Sequence, residues 1–172
     1  MKATFTLTNA VPQFTSSKNG WEDYEDRVRG YAKCPCGSVR GGTLYLLTGI
    51  SDYGLTAAAD GRLIRDDSHY RIASRYLQGQ LRLDTPLALW TAGCCVWKEP
   101  SNVFGSASQS DKAESFAVMT NNRDNPDLLH QTEMSVAKLK GLLTTSSSRR
   151  VNLFPGNPKC RNPDNLDFKI PL

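Results

Sequence analysis

Three side chains near the start of the chain have the types and spacing to meet a phosphate. Glu25 and Arg29 stand four residues apart, and Asn9 precedes them at the end of a β-patterned run. A carboxamide at a strand end and a carboxylate on a neighbouring helix supply oxygen ligands suited to Mg²⁺. A guanidinium one turn from that carboxylate can stabilise a phosphate that gathers charge. The same spacing also describes an exposed helix ion pair, which contributes about 0.3–0.5 kcal/mol.

The elements that must position these groups lie in residues 4–33. Thr4–Thr8 alternates as a strand, with Phe5 and Leu7 on one face, and Pro12 blocks the ladder beyond Asn9. Asn19 is expected to cap a helix running from about Gly20 to Lys33, with Glu22 as its capping-box partner. Trp21, Tyr24, Val28, Tyr31 and Ala32 fall on one stripe of that helix, bordered by Glu25 and Arg29. Pro35 is expected to end it.

The segment LTNAVPQ, followed by Trp21, Glu25 and Arg29 in the pattern W-x3-E-x3-R, resembles the DNA/RNA non-specific endonucleases, the ββα-metal nucleases. GTLYLLTG, LWTAGCCVW, SFAVMTNN, MSVAKLKGLL and VNLFPGNPKC resemble the vertebrate endonuclease domain-containing subgroup, so the likeness covers nearly the whole chain. It implies an α+β fold of ββα-metal (His-Me finger) type, with a mostly antiparallel sheet flanked by helices. It also implies Mg²⁺ or another divalent cation as cofactor and DNA or RNA, bound non-specifically, as partner. On this resemblance Asn9 matches the asparagine near the metal. Glu25 matches the acidic residue that holds metal-bound water, and Arg29 the arginine that binds the scissile phosphate. The family's asparagine ligand, four residues before the tryptophan, corresponds to Ser17. A shift of the loop would bring Asn19 to that place instead. The family's Asp-Arg-Gly-His motif, whose histidine activates the attacking water, occurs nowhere in the 172 residues. The resemblance therefore implies an N-terminally truncated nuclease with impaired activity, or an inactive remnant that binds nucleic acid or another partner. His69 and His130 lie away from the strand–loop–helix unit and are expected to be structural.

Five cysteines, Cys34, Cys36, Cys94, Cys95 and Cys160, fall in segments that resemble a secreted, disulfide-bonded subgroup. The odd count leaves one thiol without an internal partner. Zinc fits poorly, because Cys34-Pro35-Cys36 and Cys94–Cys95 lack C-x2-C spacing and neither histidine is near them. Vicinal cysteines on a strand point to opposite faces and should take different partners. One is expected to pair with Cys34 or Cys36, the other with Cys160.

The length fits a single domain over residues 1–172, with a loop-rich insertion at about 51–84 and an irregular tail at 155–172. The net charge of +4 is compatible with a phosphate-rich partner but far from polybasic. No apolar run reaches spanning length, so no membrane partner is expected, and MKATFTLTN lacks the apolar centre of a signal peptide. Thr43–Thr48 reads as a central strand closed by Gly49. Leu87–Trp97 and Ser115–Thr120 read as buried strands, with a polar loop from Pro100 to Lys112 between them. The tract from Ser51 to Asp84 interleaves Arg62, Arg65, Arg71, Arg75 and Arg82 with Tyr70 and Tyr76. That pattern can track a nucleic-acid backbone. Asp60, Asp66, Asp67 and Asp84 dilute it, and a solvated insertion with a short hairpin is the expectation. Ser135 should cap a helix carrying Val136, Leu139 and Leu142. Thr144–Arg150 reads as a linker, and Val151–Phe154 as a further strand.

Overall fold

Four antiparallel strands make the main sheet: β1 (Thr43–Ser51), β4 (Ala88–Val103), β5 (Ser106–Asn121) and β6 (Gln131–Met134), in the order β1-β4-β5-β6. A separate hairpin pairs β2 (Gly54–Ala57) with β3 (Leu63–Asp66). The helices are α1 (Thr15–Tyr31), α2 (Val136–Leu143) and α3 (Pro158–Arg161). The structure, a computed structural model, describes residues 11–66, 85–103, 106–144, 151–161 and 169–170. The expected strand at Thr4–Thr8, Asn9, His69, Tyr70, Arg71, Arg75, Tyr76 and Arg82 lie outside these residues. The class is α+β with an antiparallel sheet and a few helices, as the sequence implied.

Burial on both faces of β4 and β5 explains their long apolar runs. On one face α1 brings Trp21, Tyr24, Val28 and Tyr31 against Leu89, Cys95, Phe116 and Val118. On the other, α2 and the C-terminal segment bring Val136, Leu139, Leu153 and Cys160 against Ala92, Cys94, Ala117 and Met119. Alternation along each strand sends neighbours to opposite layers. Cys94 and Cys95 follow that rule: Cys95 bridges to Cys36 on the α1 side, and Cys94 to Cys160 on the α3 side. Of the two candidates left open for the first bridge, Cys36 is the partner, and Cys34 is exposed and unbridged.

Five elements differ from the sequence expectation, each for a tertiary reason. Helix α1 begins at Thr15, not Gly20, so Asn19 sits inside the helix and caps nothing. The amides of Ser17 and Lys18 bond the Phe14 carbonyl, and Phe14 holds the N-cap position without a side-chain cap. Glu22, no longer a capping partner, pairs with Lys18 at 3.3 Å. Pro35 does not end the helical path. Its ring excludes ordinary α-helical closure on the preceding turn, and the chain widens into a π-helix over Ala32–Val39 that contains Pro35. Strand β1 continues through Gly49 to Ser51, and among the described residues it is an edge strand rather than a central one. It therefore exposes Tyr45, Leu46, Leu47 and Ile50.

The expected polar loop at Pro100–Lys112 is instead the far end of the β4–β5 hairpin, in continuous register from Ala88↔Asn121 to Val103↔Ser106. Lys98, Glu99, Pro100 and Gln109 are exposed there, which is why the stretch reads as loop. Pro100 is tolerated because β1 pairs no further than Val96, so β4 is a free edge beyond it among the described residues. Val151–Phe154 forms no strand: Phe154 turns the chain with φ 53°. Two expectations hold closely. The Ser135 hydroxyl accepts the Lys138 N–H at 3.2 Å and caps α2, and the insertion contains the β2–β3 hairpin.

Candidate functional site

Helix α1 carries every described residue of the proposed phosphate site, and its two faces treat them differently. Trp21, Tyr24, Val28 and Tyr31 face the sheet, and Ser17 joins them one turn earlier. Ser17 is 4% exposed, and its hydroxyl lies 2.9 Å from both the Phe14 carbonyl and Asn122 Oδ1. Asn122 is fully buried and satisfied on both sides. Its Oδ1 also accepts the Phe14 N–H at 3.0 Å, and its Nδ2 donates to the carbonyls of Pro12 and Pro86. The adjacent Asn121 does the same for the insertion hairpin, accepting the Leu55 N–H and donating to the Leu55 and Leu128 carbonyls. The Asn121–Asn122 pair thus latches both the start of α1 and β2 to the end of β5.

Glu25 and Arg29 lie on the solvent side of α1. They approach to 3.5 Å, with side chains 48% and 64% exposed, and Arg29 also bonds Asp26. The guanidinium is therefore held between two carboxylates. Asn19 is exposed on the same helix. Ser17 and Glu25 are eight residues apart, about 12 Å along a helix axis, and they point to different sides. Octahedral Mg²⁺ binds oxygens at about 2.0–2.1 Å, so Ser17, Asn19 and Glu25 do not converge on one ion. Among the described residues no group of three or more His, Cys, Asp or Glu side chains is arranged to hold a metal. The described residues of this set, Ser17, Asn19 and Glu25, do not form the Mg²⁺ centre that the resemblance implies.

Two buried polar clusters sit beneath α1, and the sequence did not point to them. In the first, Arg27 pairs with Glu133 of β6 at 2.7 Å, bonds the Ile170 carbonyl and lies 5.4 Å from the Tyr24 ring centre. Tyr24 Oη, Arg27 Nε and Glu133 Oε2 are buried there without hydrogen-bond partners among the described residues. Burial, then the Glu133 carboxylate, pushes the Tyr24 phenol well above the usual tyrosine range, against a smaller pull from Arg27.

In the second cluster, Glu114 accepts the Tyr31 O–H at 2.7 Å and bonds Arg40, whose guanidinium stacks 4.4 Å from the Trp97 ring centre. Burial, then the hydrogen bond to Glu114, raises the Tyr31 phenol. Arg40 is raised chiefly by its bond to Glu114. Glu114 stands opposite Cys95 in the β4–β5 register, so this charged knot lies beside the Cys36–Cys95 bridge. Chemically it is a compensated ion pair that clamps the π-helix to the sheet. The available signal was a lone carboxylate, Glu114, entering the apolar run Ser115–Thr120.

Elsewhere the described cations of the arginine-rich tract are engaged. Arg62 pairs with Asp60 at 2.6 Å. Arg65 lies 4.9 Å from the Tyr53 ring centre and donates to the Thr144 carbonyl. His130 is half-buried, and its backbone carbonyl accepts the Asn121 N–H. No helix among the described residues is long and apolar enough to cross a membrane. No protein-family model matches the chain, and neither the curated proteins nor the solved structures contain a match.

Proposed function

We propose that this chain is a disulfide-stapled, non-catalytic relative of the ββα-metal nucleases that binds single-stranded DNA or RNA through non-specific phosphate contacts. The observation that carries the non-catalytic reading is the engagement of the motif residues: Ser17 is locked inside on Asn122, and Arg29 is held by Glu25 and Asp26. Arg29 shares its charge with two exposed carboxylates, and an ion reaching Ser17 must break the latch that anchors α1. The net charge of +4 supports weak, salt-sensitive association with phosphates. Two disulfides support a product of an oxidising compartment, in line with the secreted subgroup it resembles.

Two measurements on the oxidised chain test this. Plasmid nicking with Mg²⁺ should be absent, whereas EDTA-sensitive cleavage that disappears in Arg29→Ala and Glu25→Ala would overturn the non-catalytic reading. Fluorescence anisotropy with a labelled single-stranded oligonucleotide should show binding at low salt that fades as salt rises. No binding at low salt removes the nucleic-acid assignment.

A further inference from the structure

A cavity of about 490 Å³ opens between α2 and α3, lined by Val136, Ala137, Lys140, Leu153, Pro158 and Arg161. Its volume is within the range of small-molecule sites, about 300–1,000 Å³. The chemistry of the lining is divided. Val136 and Leu153 are buried and give an apolar floor, while Lys140 and Arg161 bring two cations to the same opening. Among the described residues Arg161 Nε is buried without a hydrogen-bond partner, and neither cation makes an ion pair. A buried guanidinium nitrogen without an acceptor is costly to maintain and suits an incoming oxyanion.

Two local constraints shape the described part of the cavity wall. The Cys94–Cys160 bridge fixes α3 to β4 next to Arg161. Phe154, 8% exposed, turns the chain in the left-handed region, where a bulky residue is strained. That turn places Leu153 in the wall.

We propose that this cavity binds an amphipathic phosphate monoester, its phosphate between Lys140 and Arg161 and its apolar body on Val136 and Leu153. Two cations match the dianion, and the planar guanidinium suits paired phosphate oxygens. The assignment does not rest on the nucleic-acid reading, because the cavity lies on the opposite face of the sheet from α1.

The probe is 1-naphthyl phosphate, titrated calorimetrically into the intact oxidised chain beside 1-naphthol and inorganic phosphate. The expected result is saturable binding of the naphthyl phosphate at least about tenfold tighter than either half-probe. Arg161→Gln and Lys140→Gln should each weaken it by about tenfold, the size of a lost charge-assisted hydrogen bond. Lys140 is exposed, so its variant should keep the parent melting temperature and separate lost binding from lost fold. Equal affinity for 1-naphthol, absence of saturable binding, or parent affinity in both variants overturns the proposal. Flotation with phosphatidate vesicles then identifies the source. Co-flotation that Lys140→Gln abolishes assigns a lipid headgroup, and its absence beside intact naphthyl phosphate binding assigns a soluble phosphomonoester.

Discussion

Tyr24 and Tyr31 stand seven residues apart on the buried face of α1, and their hydroxyls have opposite fates. Tyr31 donates to Glu114, whereas Tyr24 Oη is buried without a partner among the described residues. Removing an unsatisfied hydroxyl relieves a desolvation cost, while removing a partnered one strands its acceptor. Tyr24→Phe should therefore be neutral or stabilise by up to about 1 kcal/mol, and Tyr31→Phe should destabilise by about 1–2 kcal/mol in urea unfolding. Equal losses in both would contradict this difference. The two phenols also set an alkaline limit. Both are raised from an ordinary value of 10.0, so above that pH the unfolded chain sheds protons that the folded chain retains. Below about pH 10 both phenols are neutral in either state and leave stability unchanged, and as pH rises from there toward the folded values the folded state loses stability relative to the ionised unfolded chain. The urea midpoint should fall between about pH 9.5 and about pH 11, with a shallower fall in the double Tyr→Phe variant. Parallel slopes would place the alkaline transition in other groups.

Among the elements, the β4–β5 hairpin shows what a sequence reveals and what it conceals. Leu87–Trp97 and Ser115–Thr120 were legible because burial on both faces leaves an apolar run. The hairpin beyond them was not, because a solvated ladder and a loop share one composition. The start of α1 was missed because its anchor is Asn122, more than a hundred residues away, and a distant amide leaves no local capping signature. The Glu25–Arg29 pair was legible from i,i+4 spacing, but Asp26 as a competing partner decides what that arginine can do. Glu114 and Arg40 were hidden because their sequence separation of 74 residues gives no motif. Gly93 is a local feature with a long-range cause. It pairs with Phe116, and a Cβ there would meet the Phe116 ring at 2.1 Å. The ring lies flat against the glycine and fills the space under α1, where it also meets Tyr31 edge-on with ring centres 5.7 Å apart. Gly93→Ala must displace that ring, and overpacking of this kind costs about 1–3 kcal/mol. A shift of the thermal midpoint by less than one degree would show that the ring moves freely.

At the scale of the whole molecule, the vicinal pair Cys94–Cys95 is where the two layers are fastened to one strand. Cys36–Cys95 closes 59 residues of sequence separation and ties the π-helix to β4. Cys94–Cys160 closes 66 and ties α3 to the opposite face. By the chain-entropy argument each bridge restricts the unfolded state by about 4 kcal/mol. A domain of this size has roughly 5–15 kcal/mol in total, so either bridge is a large fraction of the whole. The layers depend on the bridges unequally. Helix α1 has its own buried stripe and the Asn122 latch, whereas α3 is four residues long. The double variant Cys36→Ser/Cys95→Ser should therefore remain folded with a lowered midpoint. Cys94→Ser/Cys160→Ser should release the C-terminal segment and make bonds near Lys159 and Arg161 susceptible to trypsin before global unfolding. Thiol counting gives the independent check. The native oxidised chain should expose one reactive thiol, Cys34, and reduction under denaturing conditions should reveal all five. Five reactive thiols in native material from an oxidising compartment would remove both staples, and similar trypsin resistance in the two double variants would show that the tail is held by packing alone.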